Sequence, residues 1–210
     1  MITAGPTHEP IDPVRFIGNH SSGKMGYALA EVFANQGADV HLISGPVHIR
    51  AKNPNIRVTR VKTADEMNSV CIQELENSDI IILSAAVADF KPENIATEKI
   101  KKTDKNLTIQ LTKTPDIAEG LGKLKKQGQV LAGFALETEH EVRNAIQKME
   151  RKNFDFIVLN SLKDTGAGFG FDTNKIRIIN RSGKIFTYEL KEKSEVAKDI
   201  SRYIEANFHV

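Results

Sequence analysis

The sequence feature that most constrains the fold is an unbroken apolar run, Ile80–Leu83, directly after Asp79. A strand with one face in water alternates apolar and polar residues, because successive side chains point to opposite faces. A run without that alternation is typical of a strand covered on both faces, as in the parallel sheets of α/β proteins. We therefore predict a parallel sheet with helices packed on both of its sides.

Short apolar runs alternate with segments of helical periodicity along the chain. Strands are predicted at residues 2–4, 40–44, 56–61, 79–83, 107–111, 130–136 and 154–159. Helices are predicted at residues 25–35, from the capping-box residue Thr63, from Pro115, at residues 139–152 and at about 194–207. Residues 5–24 are predicted as a long loop, and the lysine-rich residues 90–106 show no clear period.

An antiparallel hairpin is predicted near the C-terminus, where residues 176–179 and 185–188 flank the turn-forming run 181–184. Repeated strand–helix units followed by this hairpin predict one domain over residues 1–210. Its expected fold is Rossmann-like α/β, a mainly parallel sheet flanked by helices with a C-terminal antiparallel hairpin. Ligands of such sheets bind at the carboxyl ends of the strands, here in the loops after Ala4, Leu83, Leu111, Leu136 and Leu159.

The composition excludes several classes of protein. Hydrophobic residues make up 40% of the chain, and the net charge of +2 is too small to favour nucleic acid or a membrane surface as partner. Cys71 is the only cysteine, so no internal disulfide is possible and a reducing compartment is expected. No window approaches the roughly 20 apolar residues of a membrane span, which predicts a cytoplasmic protein.

A glycine-rich loop, residues 18–26, is the first candidate for chemistry. Its backbone N–H groups and the predicted helix N-terminus behind it favour an anion. The spacing G-x-x-x-x-G-K is present, but Met25 stands where a Walker site has the Ser or Thr that holds magnesium. A glycine-rich turn without a ligand explains the same residues, and the dinucleotide fingerprint G-x-G-x-x-G is absent.

Two further segments suit a ligand site. In residues 84–89 the small side chains of Ala85 and Ala86 let a ligand approach the backbone, and Asp89 can accept hydrogen bonds from sugar hydroxyls. Close packing and a capping aspartate explain this segment equally well. Residues 99–102, Lys-Ile-Lys-Lys, suit a flap that closes over a triphosphate, although a lysine run is more commonly a solvated surface.

Other catalytic constellations are missing from the sequence. The six histidines lack zinc-site spacing, no serine lies in a nucleophile elbow, and Cys71 is predicted to be core. Lys148 and Lys152 lie four residues apart and share one helix face, but taken alone they are ordinary surface lysines.

Taken together, these segments resemble the phosphopantothenate–cysteine ligase family, in particular its bacterial CTP-dependent form. The resemblance runs from Ile2 to about Asp172, and five stretches carry it: ITAGPT at 2–7, DPVR at 12–15, NHSSGKMG at 19–26, AAVAD at 85–89 and KIKK at 99–102. In many bacteria this ligase is fused behind a flavin-dependent decarboxylase, and the abrupt start of the strand pattern at Ile2 suggests an excised ligase half. FMN is then expected only in a fused domain outside this chain.

The resemblance implies a two-step reaction. The carboxylate of 4′-phosphopantothenate attacks the α-phosphate of CTP, giving an acyl-cytidylate and pyrophosphate, and the amine of cysteine then displaces CMP. The nucleophiles belong to the substrates, so the protein is expected to position them and to stabilise developing charge. Mg²⁺ is expected to arrive with the triphosphate, and no protein ligand to a metal is predicted.

The resemblance also implies site residues. Asn19 would contact the acyl-cytidylate and promote the second step, with Arg15 and Ala86 nearby, while Lys99 would meet the triphosphate. The implied nucleotide-binding residues are Leu83, Ser84, Ala85, Asp89, Lys99, Pro115, Asp116, Ile117, Ala118, Phe134, Lys148 and Lys152. Members of the family act as dimers, so a homodimer with shared active sites is expected. Two other hypotheses stay open: a nucleotide-binding regulatory module without turnover, and a nicotinamide oxidoreductase.

Overall fold

The computed structural model describes residues 1–102, 106–137, 139–161 and 170–209. The strands in these residues are β1 (Ile2–Ala4), β2 (His8–Pro10), β3 (Phe16–Gly18), β4 (Val40–Ser44), β5 (Ile56–Arg60), β6 (Ile80–Leu83), β7 (Phe90–Pro92), β8 (Leu111–Lys113), β9 (Val130–Glu137), β10 (Phe156–Ser161), β11 (Thr173–Asn174), β12 (Ile176–Asn180), β13 (Ile185–Thr187) and β14 (Lys191–Glu192). The helices are α1 (Lys24–Asn35), α2 (Ala64–Leu75), α3 (Ile117–Leu124), α4 (Glu141–Arg151) and α5 (Lys193–Asn207). None of these helices combines the length and the apolar character needed to cross a bilayer.

The central sheet has eight strands in the order β13-β12-β10-β9-β6-β1-β4-β5. The six strands from β10 to β5 in this order run parallel, whereas β12 pairs antiparallel with both β10 and β13. The β12–β13 hairpin turns at Gly183, whose positive φ of 79° suits glycine. This topology confirms the predicted fold class, including the C-terminal hairpin.

Helices cover both faces of the sheet, as the apolar run of β6 predicted. Ile82 packs in a core with Leu29 of α1 and Ile200 of α5. Its neighbour Ile81 points to the other face and packs in a second core with residues of α2, α3 and α4, such as Met67. Both isoleucines are fully buried, so β6 has no face in water.

In the described residues three small two-stranded sheets, β2–β3, β7–β8 and β11–β14, lie outside the central sheet, and the sequence patterns did not predict them. The expected loop at residues 5–24 contains the antiparallel pair β2–β3, and the aperiodic residues 90–106 begin with β7. The prediction of a strand at residues 107–111 was wrong. Residues 107–110 form no strand, and β8, which begins at Leu111, pairs with β7 and not with the central sheet. Strands β3, β7 and β8 have three residues each and bury only Pro92 among them, so they leave no apolar period in the sequence.

Gly26 lets α1 lie directly against β1. A Cβ atom at this position would lie 2.5 Å from the Cβ of Ala4 and 2.9 Å from the carbonyl oxygen of Thr3. Neither atom belongs to a flexible side chain that can move away. The close approach places the N-terminus of α1 beside the carboxyl end of β1.

We expect Gly26→Ala to destabilise the fold, because the added methyl group has no room between α1 and β1. Overpacking of this kind typically costs about 1–3 kcal/mol. Urea unfolding followed by circular dichroism measures the change. Gly120→Ala is the matched control: it lies in α3, where a Cβ meets nothing within 4 Å, and it should be neutral or stabilise by up to about 1 kcal/mol. Equal losses in the two variants would contradict the close packing of α1.

Candidate nucleotide-binding site

A cavity of about 920 Å³ opens at the carboxyl ends of β1, β6, β9 and β10, the edge of the sheet where the sequence predicted a ligand. The loop before α1, the loop after β6, the start of α3 and one face of α4 form its walls. Lys113, the last residue of β8, and residues 114–115 after it also reach the cavity although β8 lies outside the central sheet. Thirteen of the predicted site residues line it: Asn19, Leu83, Ser84, Ala85, Ala86, Asp89, Pro115, Asp116, Ile117, Ala118, Phe134, Lys148 and Lys152.

Asn19 joins the glycine-rich loop to the loop after β6. Its Nδ2 donates to the carbonyl oxygens of Ala86 and Val87, both at 3.0 Å. Because the amide nitrogen has these two acceptors, the side-chain Oδ1 is the atom turned away from that loop. Asn19 therefore sets the spacing of two cavity walls and presents an acceptor beside them.

Arg15 and Lys99 do not line the cavity. Asp12 is buried and accepts hydrogen bonds from the Arg15 guanidinium and from the N–H of Ile100, at 3.1 Å. The Arg15 guanidinium, followed by three backbone N–H groups, holds the pKa of the Asp12 carboxyl well below its usual range, although burial opposes this. Arg15 also donates to the Ile100 carbonyl at 3.0 Å. Arg15 and Asp12 thus hold the residue next to the exposed Lys99, and the catalytic role of Lys99 stays a prediction.

Lys152 is almost fully buried and forms ion pairs on the α3 side of the cavity. Its Nζ contacts Asp116 Oδ2 and lies 3.3 Å from Glu119 Oε2. Asp116 is also the N-cap of α3, since its Oδ1 accepts from the Glu119 N–H at 3.0 Å. Burial raises the pKa of Asp116. Lys152 and the capping N–H together lower it by more, so the pKa lies below 3.8.

Lys148 lies in α4, one helical turn before Lys152, which is the C-cap of that helix. Its Nζ donates to the Phe134 carbonyl at 2.9 Å, and burial lowers its pKa. Six of the residues that line the cavity are basic and three are acidic. This excess of positive charge favours an anionic ligand. Among the described residues, no three His, Cys, Asp or Glu side chains gather as a metal site.

Asn160, Asn174 and Lys193 are among the residues of the cavity wall that sequence reasoning missed. They belong to β10, β11 and α5, and no motif connects them. The only available signal was the general rule that ligands lie beyond the carboxyl ends of the strands, which pointed to the loop after Leu159.

A comparison with protein families gives one assignment. The family described as "DNA/pantothenate metabolism flavoprotein C-terminal domain" matches residues 1–208. The chain belongs to this family. This membership and a similar solved structure, the C-terminal domain of CoaBC, confirm the resemblance that the five motifs carried. That crystal structure is 42% identical to this chain, with a TM-score of 0.81 and coverage of 98% of this chain and 94% of the other.

Two full-length relatives add detail. Over 206 residues the chain is 44% identical to the coenzyme A biosynthesis bifunctional protein CoaBC of Bacillus subtilis (strain 168), covering 98% of this chain and 50% of that protein. Over 209 residues it is 53% identical to a "Cysteine/Cysteine sulfinic acid decarboxylase" of an unknown prokaryotic organism, covering 100% and 58%. The chain therefore spans about half the length of the curated relatives it matches.

The two roles of Asp116 can be separated by substitution. Asp116→Asn keeps an acceptor for the α3 cap but removes the charge opposite Lys152, whereas Asp116→Ala removes both. We expect both variants to be less stable at pH 7, and the alanine variant to lose about 1 kcal/mol more. Urea unfolding of the three proteins measures these differences.

The pH dependence of this loss has a definite sign. Because the folded pKa of Asp116 is lowered, its charge stabilises the protein above the unfolded value of 3.8 and stops doing so as the pH falls through the folded pKa. The gap between the wild type and Asp116→Asn should therefore shrink below about pH 4. A gap that stays constant from pH 7 to pH 3 would contradict the ion pair.

Proposed function

We propose that this chain is a ligase of coenzyme A biosynthesis that joins 4′-phosphopantothenate to cysteine with CTP. The observation that carries the proposal is the 44% identity to the bifunctional CoaBC of Bacillus subtilis across 98% of the chain. The basic cavity at the carboxyl edge of the sheet supports it, because CTP and 4′-phosphopantothenate are both phosphate-bearing anions. The proposal concerns only the part of those relatives that this chain spans, and FMN is assigned to the other part.

In the proposed first step the substrate carboxylate attacks the α-phosphate of CTP. An acyl O–P bond forms, the P–O bond to pyrophosphate breaks, and pyrophosphate leaves. The loop that ends at Gly23 would receive phosphates, because its backbone and the N-terminus of α1 favour negative charge. Lys148 and Lys152 would meet the nucleotide from the α4 side. Mg²⁺ would enter as the counter-ion of the triphosphate.

In the proposed second step the cysteine amine attacks the acyl carbon and the amide C–N bond forms. The bond from the acyl carbon to the bridging oxygen breaks, and CMP leaves with that oxygen. The reacting amine and acyl group come from the substrates, so the chain contributes position and polar contacts. Asn19 suits this role because its Nδ2 is fixed by Ala86 and Val87. A fixed amide costs less reorganisation as charge shifts during the reaction.

Two other functions make different predictions. The relative at 53% identity is named for decarboxylation of cysteine or cysteine sulfinic acid, and that name describes a protein of which this chain spans 58%. A decarboxylase would release CO₂ from cysteine without a nucleotide. A regulatory module would bind CTP and form no product.

The deciding experiment incubates the chain with 4′-phosphopantothenate, cysteine and one of CTP, ATP, GTP or UTP, with products identified by mass. We expect CTP to support amide formation at least about tenfold faster than the others, a difference of ~1.4 kcal/mol in transition-state binding. A control without cysteine should yield only acyl-cytidylate and pyrophosphate. Equal rates with ATP would overturn the CTP assignment alone, whereas CO₂ release without nucleotide, or binding without product, would overturn the ligase.

Asn19→Asp should stall the reaction after its first step. The carboxylate would face the two carbonyl oxygens that Nδ2 now contacts, and would add negative charge beside an anionic intermediate. We expect the acyl-cytidylate to accumulate and amide formation to fall by about tenfold or more. Quenched-flow sampling with mass detection follows both species. Asn55→Asp adds the same charge at an exposed site outside the cavity and should react normally; equal behaviour of the two variants would remove Asn19 from this role.

We also propose that the chain acts as a two-fold symmetric homodimer with shared sites. The β2–β3 and β7–β8 pairs and their flanking loops carry apolar side chains that are about half exposed: Val14, Phe16, Phe90, Ile95 and Leu111. A second copy would remove this surface from water. Arg15 and Lys99 lie outside the cavity wall of their own chain. In a homodimer they would be able to contact the cavity of the partner chain.

Mixing inactive subunits tests the dimer. Combining Asn19→Asp chains with Lys99→Gln chains should restore part of the activity if the two residues serve one site from opposite chains. Analytical ultracentrifugation of the wild type should show a dimer at assay concentration. A fully active monomer would contradict the dimer, and a dimer without rescue would place both residues in the site of one chain.

A further inference from the structure

The buried carboxylate of Asp12 joins two segments that lie far apart in the chain. Its side chain is fully buried, although residues 13–15 after it are exposed. Oδ1 accepts from the N–H groups of Val14 and Arg15, at 2.9 and 2.8 Å. Oδ2 accepts from the Arg15 guanidinium and from the Ile100 N–H. One oxygen therefore closes a local turn, and the other reaches a residue 88 positions along the chain.

Ile100 is held through both of its backbone groups. Its N–H donates to Asp12 Oδ2 at 3.1 Å, and its carbonyl accepts from Arg15 Nη2 at 3.0 Å. The Ala96 N–H donates to the Ile11 carbonyl at 3.0 Å, so the segment meets the same turn a second time. Residues 96–102 form no helix or strand, so contacts with the turn determine where this segment lies. We call the contacts of Ile100 with Asp12 and Arg15 the Asp12 clamp.

The clamp fixes the backbone beside Lys99, which precedes Ile100 and is exposed. A lysine on a segment without regular structure loses conformational entropy when a ligand orders it, and a segment that is already held loses less. The Arg15 guanidinium, with the backbone donors, holds the pKa of the Asp12 carboxyl well below its usual range. The carboxylate is therefore charged at neutral pH, where the clamp needs an acceptor.

We propose that Asp12 is a positioning residue for Lys99 in the first step of the reaction. It acts through Ile100 and Arg15 and touches no substrate itself. This inference rests on the proposed ligase function, because that function gives Lys99 its partner, the triphosphate of CTP. In the proposed homodimer the clamp holds Lys99 toward the cavity of the partner chain, since it keeps this residue outside the cavity wall of its own chain.

Asp12→Asn separates the two halves of the carboxylate. The asparagine oxygen can still accept from Val14 and Arg15, but its amide would place a donor against the Ile100 N–H and the guanidinium. We expect hydrogen–deuterium exchange of the Ile100 amide, followed by NMR, to become at least about tenfold faster. Asp39→Asn is the matched control, because it makes the same change at an exposed aspartate outside the cavity and should leave this exchange unchanged. Unchanged Ile100 exchange in a folded Asp12→Asn chain would overturn the clamp.

Pyrophosphate release from CTP and 4′-phosphopantothenate measures the positioning role. We expect Asp12→Asn to slow this step at least about tenfold. In a Lys99→Gln background the same substitution should slow it less than about threefold, because the residue that Asp12 positions is already removed and only the part that acts through Arg15 remains. Equal losses in the two backgrounds would indicate a general structural role. An unchanged or faster step in Asp12→Asn would indicate that the clamp is not needed, and either result overturns the inference.

Arg15→Lys decides the clamp if Asp12→Asn does not fold. Lysine keeps the charge but lacks the planar fork that donates to Asp12 and to the Ile100 carbonyl together. Ile100 exchange that is at least about threefold faster supports the clamp, and unchanged exchange overturns it. A wild type that releases no pyrophosphate would overturn the ligase proposal, whereas an active wild type with an equally active Asp12→Asn variant overturns this inference alone.

Discussion

The burial of the central strands between two helical layers is the constraint on which the rest of the structure depends. Ile81 and Ile82 are adjacent in β6, fully buried, and belong to different cores on opposite faces. Covering both faces needs crossover helices, and crossover connections return each strand in the same direction. Parallel strands end at one edge of the sheet, so the carboxyl ends of β1, β6, β9 and β10 meet there and line the cavity.

Hydrogen bonds from threonine side chains hold these loops in place. Thr3 Oγ1 accepts from the Ala85 N–H at 3.1 Å, and the buried Thr7 Oγ1 accepts from the Ala88 N–H at 3.0 Å. Thr114 Oγ1 donates to the Ala88 carbonyl at 2.6 Å. The loop after β6 is therefore fixed from two directions while its own side chains remain small. A fixed backbone at a cavity wall is suited to recognising a ligand, because little reorganisation is needed on binding.

The charges around the cavity are distributed unevenly. On the α3 side, the cap of the helix and the ion pair with Lys152 use the same carboxylate, so helix stability and site electrostatics are coupled at Asp116. On the α5 side, the carboxylate of Asp172 pairs with Lys24, and its backbone carbonyl accepts from the N–H of Lys193. This difference arises from packing, since α3 and α4 lie on one face of the sheet whereas α1 and α5 lie on the other.

The sequence by itself determined the elements whose signal is local. Three examples are the apolar run of β6, the capping box at Thr63, in which both hydrogen bonds form, and the turn at Gly183. Each depends on neighbours within a few residues, so pattern and structure agree. The family motifs likewise identified Asn19 and Asp89, and both residues line the cavity. Short exposed strands such as β7 and β8 escaped prediction because three residues leave no period.

Only the tertiary structure decided which distant residues complete the site. Lys193 lies far along the chain from Gly23, and nothing in its local sequence distinguishes it from other lysines. It reaches the cavity because α5 packs beside α1 on one face of the sheet and Asp172 contacts both helices at their first residues. Conversely, Lys99 matches a motif but stays outside the cavity wall, because Asp12 and Arg15 hold the neighbouring Ile100. Such placements follow from long-range packing and hydrogen bonding, which local periodicity does not encode.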